Sequence, residues 1–180
     1  MRVAVRRLDR DGRYLTLISR DDGVTFSMQG VGHNFAIPHD LAHFVVEKAL
    51  HLNRGFWGSV SDGAVFPTMT HVGGRRKPKA AERSSSLLKT NAPQLSEAEV
   101  LVRIFNDAIE QGDSETSSGL HGRLKQRRAS SAEVPHNISQ VQISEVFSTY
   151  KEILSKWKST SVGSALDLHW ESSYVQRKRG

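Results

Sequence analysis

The chain has 180 residues, 37% of them apolar, and no cysteine. That length is enough for one domain with its own core, and the missing thiols exclude disulfide staples, thiolate zinc sites, iron–sulfur clusters and a cysteine nucleophile. Lysine and arginine number 25 against 19 aspartate and glutamate, a net charge of +6, which suits an acidic partner such as nucleic acid or an acidic protein.

The first elements read as strands. Residues 2–8 and 14–19 are short β-prone runs joined through Asp11-Gly12. A second Asp-Gly turn at Asp22-Gly23 leads into Val24, Phe26 and Met28, which alternate with polar residues. Alternation with Asp-Gly turns predicts a three-stranded antiparallel meander. Pro38 fits the first position of a helix, and Leu41, Phe44, Val45, Ala49 and Leu52 then fall on one side of a helix over 39–51. Phe56 to Val60 suits a further short helical turn.

Residues 71–94 are rich in Gly, Ser, Pro and basic side chains without periodicity, and they read as a flexible basic insert. Ser96 and Glu99 form a capping-box pattern ahead of Val100, Leu101, Ile104, Phe105, Ala108 and Ile109, which predicts a helix ending at Gly112. Residues 112–136 read as a second flexible, polar insert. A long helix is expected over 139–158, where Ile143, Val146, Phe147, Tyr150, Ile153, Leu154 and Trp157 recur at threes and fours. Ala165 to Trp170 alternates as a C-terminal strand, and 172–180 reads as a loose tail. The expectation is a single α+β domain over 1–180. Its sheet is the N-terminal meander plus a C-terminal strand, packed against three or four helices. The N-terminus carries charge in place of an apolar signal-peptide segment, and no run of about 18 apolar residues occurs, so a cytoplasmic protein without membrane partners is expected.

One constellation can carry chemistry. His39-Asp40-Leu41-Ala42-His43 places two imidazoles one helical turn apart, with Glu47 on the next turn of the same face. Two such imidazoles can share zinc or another divalent metal. Glu47 can serve as third ligand or orient a ligating histidine, and His33 or His51 can complete the set. Two other readings remain open. The same residues form the polar side of an amphipathic helix facing solvent, and an N-cap at Asp40 would put His39 outside the helix and break the pair.

The five residues resemble the zincin metalloprotease signature, H-E-x-x-H on a helix. The resemblance implies His39 and His43 as ligands and Asp40 as the catalytic base, one methylene shorter than the family's glutamate. More broadly, the pattern from Pro38-His39-Asp40-Leu41-Ala42-His43-Phe44 through Gly55-Phe56-Trp57-Gly58 to Leu166-x-Leu168-x-Trp170 resembles an uncharacterised bacterial protein family. It implies a bacterial origin and no particular activity. Phe56 and Trp57 between glycines suit either a stacking platform or anchors in the core.

No complete dinucleotide, phosphate-loop or serine-hydrolase motif is present. The basic residues Arg75, Arg76, Lys77, Lys79, Arg127 and Arg128 are the candidates for contact with an acidic partner. These features favour a small binding or regulatory protein without catalysis that meets an acidic partner through basic loops. The alternative is a metal-binding protein or metal-dependent hydrolase built on the His39–His43 helix.

Overall fold

The computed structural model of the chain describes residues 1–32, 36–130 and 138–171, without the side chains of 128–130. Its sheet is antiparallel throughout and contains β1 (Arg2–Arg7), β2 (Arg13–Ser19), β3 (Thr25–Val31), β4 (Thr70–Gly73) and β5 (Ala165–His169), in the order β4-β3-β2-β1-β5. The expected meander is therefore present, and the C-terminal strand adds to its β1 edge. Period-2 patterning sets the inward face. Val3 and Val5 of β1, Tyr14, Thr16 and Ile18 of β2, and Phe26 and Met28 of β3 are all buried. The register pairs Val3 with Leu168 and Val5 with Leu166, so the leucines of the C-terminal motif join that face. Trp170 packs edge-on against Phe44 at 5.5 Å. Each large apolar side chain removed from water here contributes about 1.5–3 kcal/mol.

The helices are α1 (His39–Ala49), α2 (Phe56–Asp62), α3 (Ala80–Glu110), α4 (Ser118–Ser130) and α5 (Gln140–Ser159). The fold class is α+β, as the pattern predicts. Pro38 is the N-cap of α1, so His39 is its first residue and the His39–His43 spacing is helical. α5 begins with a complete capping box between Ser139 and Gln142, and it buries Ile143, Val146, Phe147, Tyr150, Ile153 and Trp157.

Three expectations need correction. Residues 71–94 are not an irregular insert: they supply β4 and the first half of α3, which runs unbroken through Pro93 and past Ser96. Ser96 and Glu99 thus lie inside a helix and cap nothing. Residues 112–136 contain α4, while 131–137 and the tail 172–180 lie outside the described residues. The polar side of α1 is not a solvated face: His43 and Glu47 are buried, while His39 keeps 44% of its side chain exposed. Leu41 to Glu47 is buried without interruption, because α1 packs against α2, α3 and α5 while Asp40 bonds to Thr16 of β2 and Phe44 meets Trp170 after β5.

Candidate metal centre

Glu47 is fully buried, with 0% of its side chain exposed, and an isolated carboxylate there would be costly. Three donors offset that cost. Oε1 accepts from His43 Nδ1 at 2.8 Å and from the Phe56 amide at 2.8 Å, and Oε2 accepts from the Trp57 amide at 2.9 Å. The two amides are the opening N–H groups of α2, which have no partner within their own helix. Gly55 makes this approach possible. A Cβ at that position would lie 2.5 Å from Glu47 Cδ. The glycine in Gly55-Phe56-Trp57-Gly58 thus admits the carboxylate. Trp57 is a core anchor whose Nε1 donates to the Asp40 carbonyl at 3.0 Å. Phe56 stands edge-on to His43, with ring centroids 6.1 Å apart.

With Nδ1 engaged by Glu47, His43 turns Nε2 toward His39 Nε2 at 3.1 Å and toward Glu99 Oε1 at 3.4 Å. His39 Nε2 lies 3.5 Å from Glu99 Oε2. His39, His43 and Glu99 form a group whose ligand atoms all lie within 4.8 Å of one another. Two ligands bound about 2.0–2.1 Å from a tetrahedral ion are separated by roughly 3.3 Å; the His39–His43 separation of 3.1 Å is close to that length, while Glu99 meets the two imidazoles through different oxygens of its carboxylate. His43 is buried, with 4% of its side chain exposed, while Glu99 at 58% reaches solvent. Burial opposes charge on His43, but the hydrogen bonds to Glu47 and Glu99 outweigh it and push its pKa up to about 9. Hydrogen bonds from His39 and His43 hold Glu99 well below the usual carboxylate range. The cluster is therefore strongly polarised: with a pKa of about 9 the His43 ring is charged at neutral pH, its Nδ1–H held by Glu47 and its Nε2–H directed toward Glu99 and His39, and a metal ion would have to displace that second proton.

Glu47 is thus not in the group that could hold a metal ion; it holds His43 at Nδ1, and the third member of that group is Glu99 of α3. Asp40 is not placed as a base either. Its Oδ2 accepts from Thr16 Oγ1 at 2.7 Å and its Oδ1 from Tyr14 Oη at 3.4 Å, which ties the carboxylate to β2. Burial raises its pKa against the pull of Thr16, the two imidazoles and Tyr14. Gly30 gives Tyr14 its space, since a Cβ there would lie 2.2 Å from the Tyr14 ring. His51 lies on a different pocket wall, beside Leu52 and Arg54, and His33 lies outside the described residues.

A cavity of about 440 Å³ opens onto the cluster. His39, Asp40, His43 and Glu99 meet apolar walls from Met28, Phe56, Phe66 and Leu95. A mostly apolar hollow with a few converging polar groups is the usual form of a small-molecule site.

The basic candidates divide. Arg127 of α4 donates to Glu97 of α3 at 3.0 and 3.2 Å, so its charge already meets a carboxylate. Arg75, Arg76, Lys77 and Lys79 are exposed in the segment leading into α3, and the Arg128 side chain lies outside the described residues. Glu99 is the site residue that the sequence leaves hidden, because its spacing from Ser96 imitates a helix cap.

No helix among the described residues is long and apolar enough to cross a membrane. Comparison of the chain with protein-family models, with curated proteins and with solved structures returns no match.

Proposed function

We propose that this protein binds a divalent metal ion of the zinc type through His39, His43 and Glu99, next to a cavity that admits a small molecule. The observation that carries the reading is the convergence of three ligand atoms within 4.8 Å, one of them on a histidine whose other nitrogen is held by a buried carboxylate. Histidine ligands commonly donate their second N–H to such a partner, which fixes the tautomer and strengthens the ligand. Three protein ligands leave a fourth tetrahedral position. Sites that use their metal for chemistry keep that position open, whereas structural sites fill it with protein. The adjoining hollow supplies the space, which favours a working centre over a structural staple. The role given to Asp40 by the zincin-like pentapeptide finds no support in its contacts with Thr16 and Tyr14, so the reading does not extend to peptide hydrolysis.

Elemental mass spectrometry of untagged protein tests it. Wild type is expected to hold near-stoichiometric zinc, manganese or iron, with loss in His39→Ala/His43→Ala and in Glu99→Gln. Zinc at about a hundred times its dissociation constant should stabilise the fold by about 2.7 kcal/mol. Metal-free wild type that takes up no ion after incubation with zinc would end the proposal.

A further inference from the structure

The start of α3 breaks the rules for a helix N-terminus. Its N-cap is Lys79, in a left-handed conformation (φ 57°), and no side chain caps the helix. Serine, threonine, aspartate or asparagine is favoured at this place, and cations are disfavoured there because the helix dipole is positive. Yet Arg75, Arg76, Lys77, Lys79 and Arg83 all fall within about a turn of the start, with Glu82 the one acidic residue among them. Gathering this much positive charge around a positive helix end costs stability unless an anion joins it.

A separate observation lies beneath it. Arg20, at the end of β2, is nine-tenths buried, with 9% of its side chain exposed. Its Nε and Nη2 donate side-on to Asp22 at 3.1 and 2.5 Å, but Nη1 is buried with no hydrogen-bond partner. Buried guanidinium donors are rarely left unmade, since each costs its full desolvation penalty. Nη1 lies beside Gly63, and Arg20 and Gly63 both line a cavity of about 410 Å³. Arg76, Lys77 and Arg83 come in from the α3 side, with Arg83 braced by donating to the Pro78 carbonyl at 2.7 Å. Four cations therefore meet two carboxylates, Asp22 and Asp62, on the same walls. Phe26, Val65 and Leu87 add apolar surface.

We propose that this cavity is a second binding site, for a small organic phosphate monoester. The excess of two positive charges matches a phosphate monoester, which carries about −1.5 to −2 at neutral pH. Arg20 contributes charge from the wall while held side-on by Asp22, and Arg76, Lys77 and Arg83 around the start of α3 bring three further cations to the same cavity. The volume exceeds that of a phosphate group and leaves room for an organic part against Leu87 and Val65. Concavity favours a small ligand over the extended backbone of a nucleic acid.

Phenyl phosphate is a suitable probe, titrated calorimetrically at constant ionic strength into protein stripped of metal with a chelator and dialysed. Saturable one-to-one binding is expected. Phenol should not bind, and inorganic phosphate should bind more weakly. Arg76→Gln/Lys77→Gln, at exposed positions that the fold does not need, should weaken binding about tenfold or more. Arg20→Gln should weaken it too, by removing one of the four charges, with folding checked by circular dichroism. Glu99→Gln should leave it unchanged, which separates this site from the metal centre. Three outcomes overturn the proposal: no saturation, affinity unmoved by Arg76→Gln/Lys77→Gln, or affinity lost in Glu99→Gln, which would place the phosphate at the metal ligands. A 20-nucleotide single strand that binds where phenyl phosphate does not would also overturn it and mark a nucleic-acid surface instead.

Discussion

Replacing Glu47 with glutamine exchanges one buried carboxylate oxygen for an NH₂ group and leaves the volume unchanged. The carboxylate accepts three hydrogen bonds, two at Oε1 from His43 and Phe56 and one at Oε2 from Trp57. A glutamine carbonyl can keep the Oε1 pair, but its NH₂ must then face the Trp57 amide, donor against donor. The opposite flip loses two bonds, so the first is favoured. One buried N–H left unmet costs about 1–3 kcal/mol. The two surviving bonds lose charge assistance, and charge-assisted bonds are roughly twice as strong as neutral ones. A total near 2–4 kcal/mol follows, which for a chain of this size lowers the melting temperature by roughly 5–15 °C. Urea unfolding of the metal-free protein measures the first effect. Zinc affinity measures the second, expected to fall about 10–100-fold because His43 loses the partner that orients it. A variant within about 0.5 kcal/mol of wild type, or one of lower stability but unchanged zinc affinity, would show that Glu47 is not the clamp of the site.

Gly55→Ala should destabilise by about 1–3 kcal/mol, because the new methyl group meets Glu47 at 2.5 Å. In a Glu47→Ala background most of that cost should vanish, and a double-mutant cycle by urea unfolding reads the difference. Glu99→Gln should abolish stoichiometric metal and lower metal-free stability at neutral pH by about 1 kcal/mol, a modest cost because the side chain is 58% exposed, as the buried His43 loses one of its two carboxylate partners; metal analysis and thermal melts together check this. Thr16→Val should cost about 1–3 kcal/mol by leaving a buried Asp40 oxygen without its 2.7 Å donor, whereas Tyr14→Phe, at 3.4 Å, should cost about 1 kcal/mol or less; equal effects in thermal melts would contradict the assigned hydrogen bonds.

The three-stranded meander was legible because its signal is local, whereas β4 was not read from the sequence. Val3 and Val5, Tyr14 and Ile18, and Phe26 and Met28 alternate between Asp-Gly turns, and tertiary structure had only to cover the marked face. The first half of α3 hid because its inward positions are polar. Ser84 accepts from the Val65 amide at 2.8 Å and Asn91 donates to Ser59 at 3.0 Å, so residues that read as loop are buried against α2 and the chain that follows it. Pro93 reinforced the false boundary. The same blindness applied to α1: binary patterning assigns His43 and Glu47 to solvent, and only the amides of α2 and the carboxylate of α3 make their burial affordable. The histidine pair was visible from its i, i+4 spacing. Glu99 was not, because a ligand delivered by a distant helix leaves no spacing to find.

Both proposed sites use α3, and the helix itself keeps them apart. Arg83 and Glu99 are 16 residues apart along it, about 24 Å at 1.5 Å per residue, against a screening length of about 8–10 Å at physiological salt. α2 offers a shorter path, since its first amides hold Glu47 while Asp62 and Gly63 at its other end line the phosphate cavity. Contiguity of this kind is not yet coupling, which requires an element with two arrangements that both ligands bias. α2 is held at its start by Glu47 and along its length by the Asn91–Ser59 bond, and the structure shows these contacts in a single arrangement. The metal centre and the phosphate cavity therefore stand on separate physical grounds, and the loss of either leaves the case for the other intact.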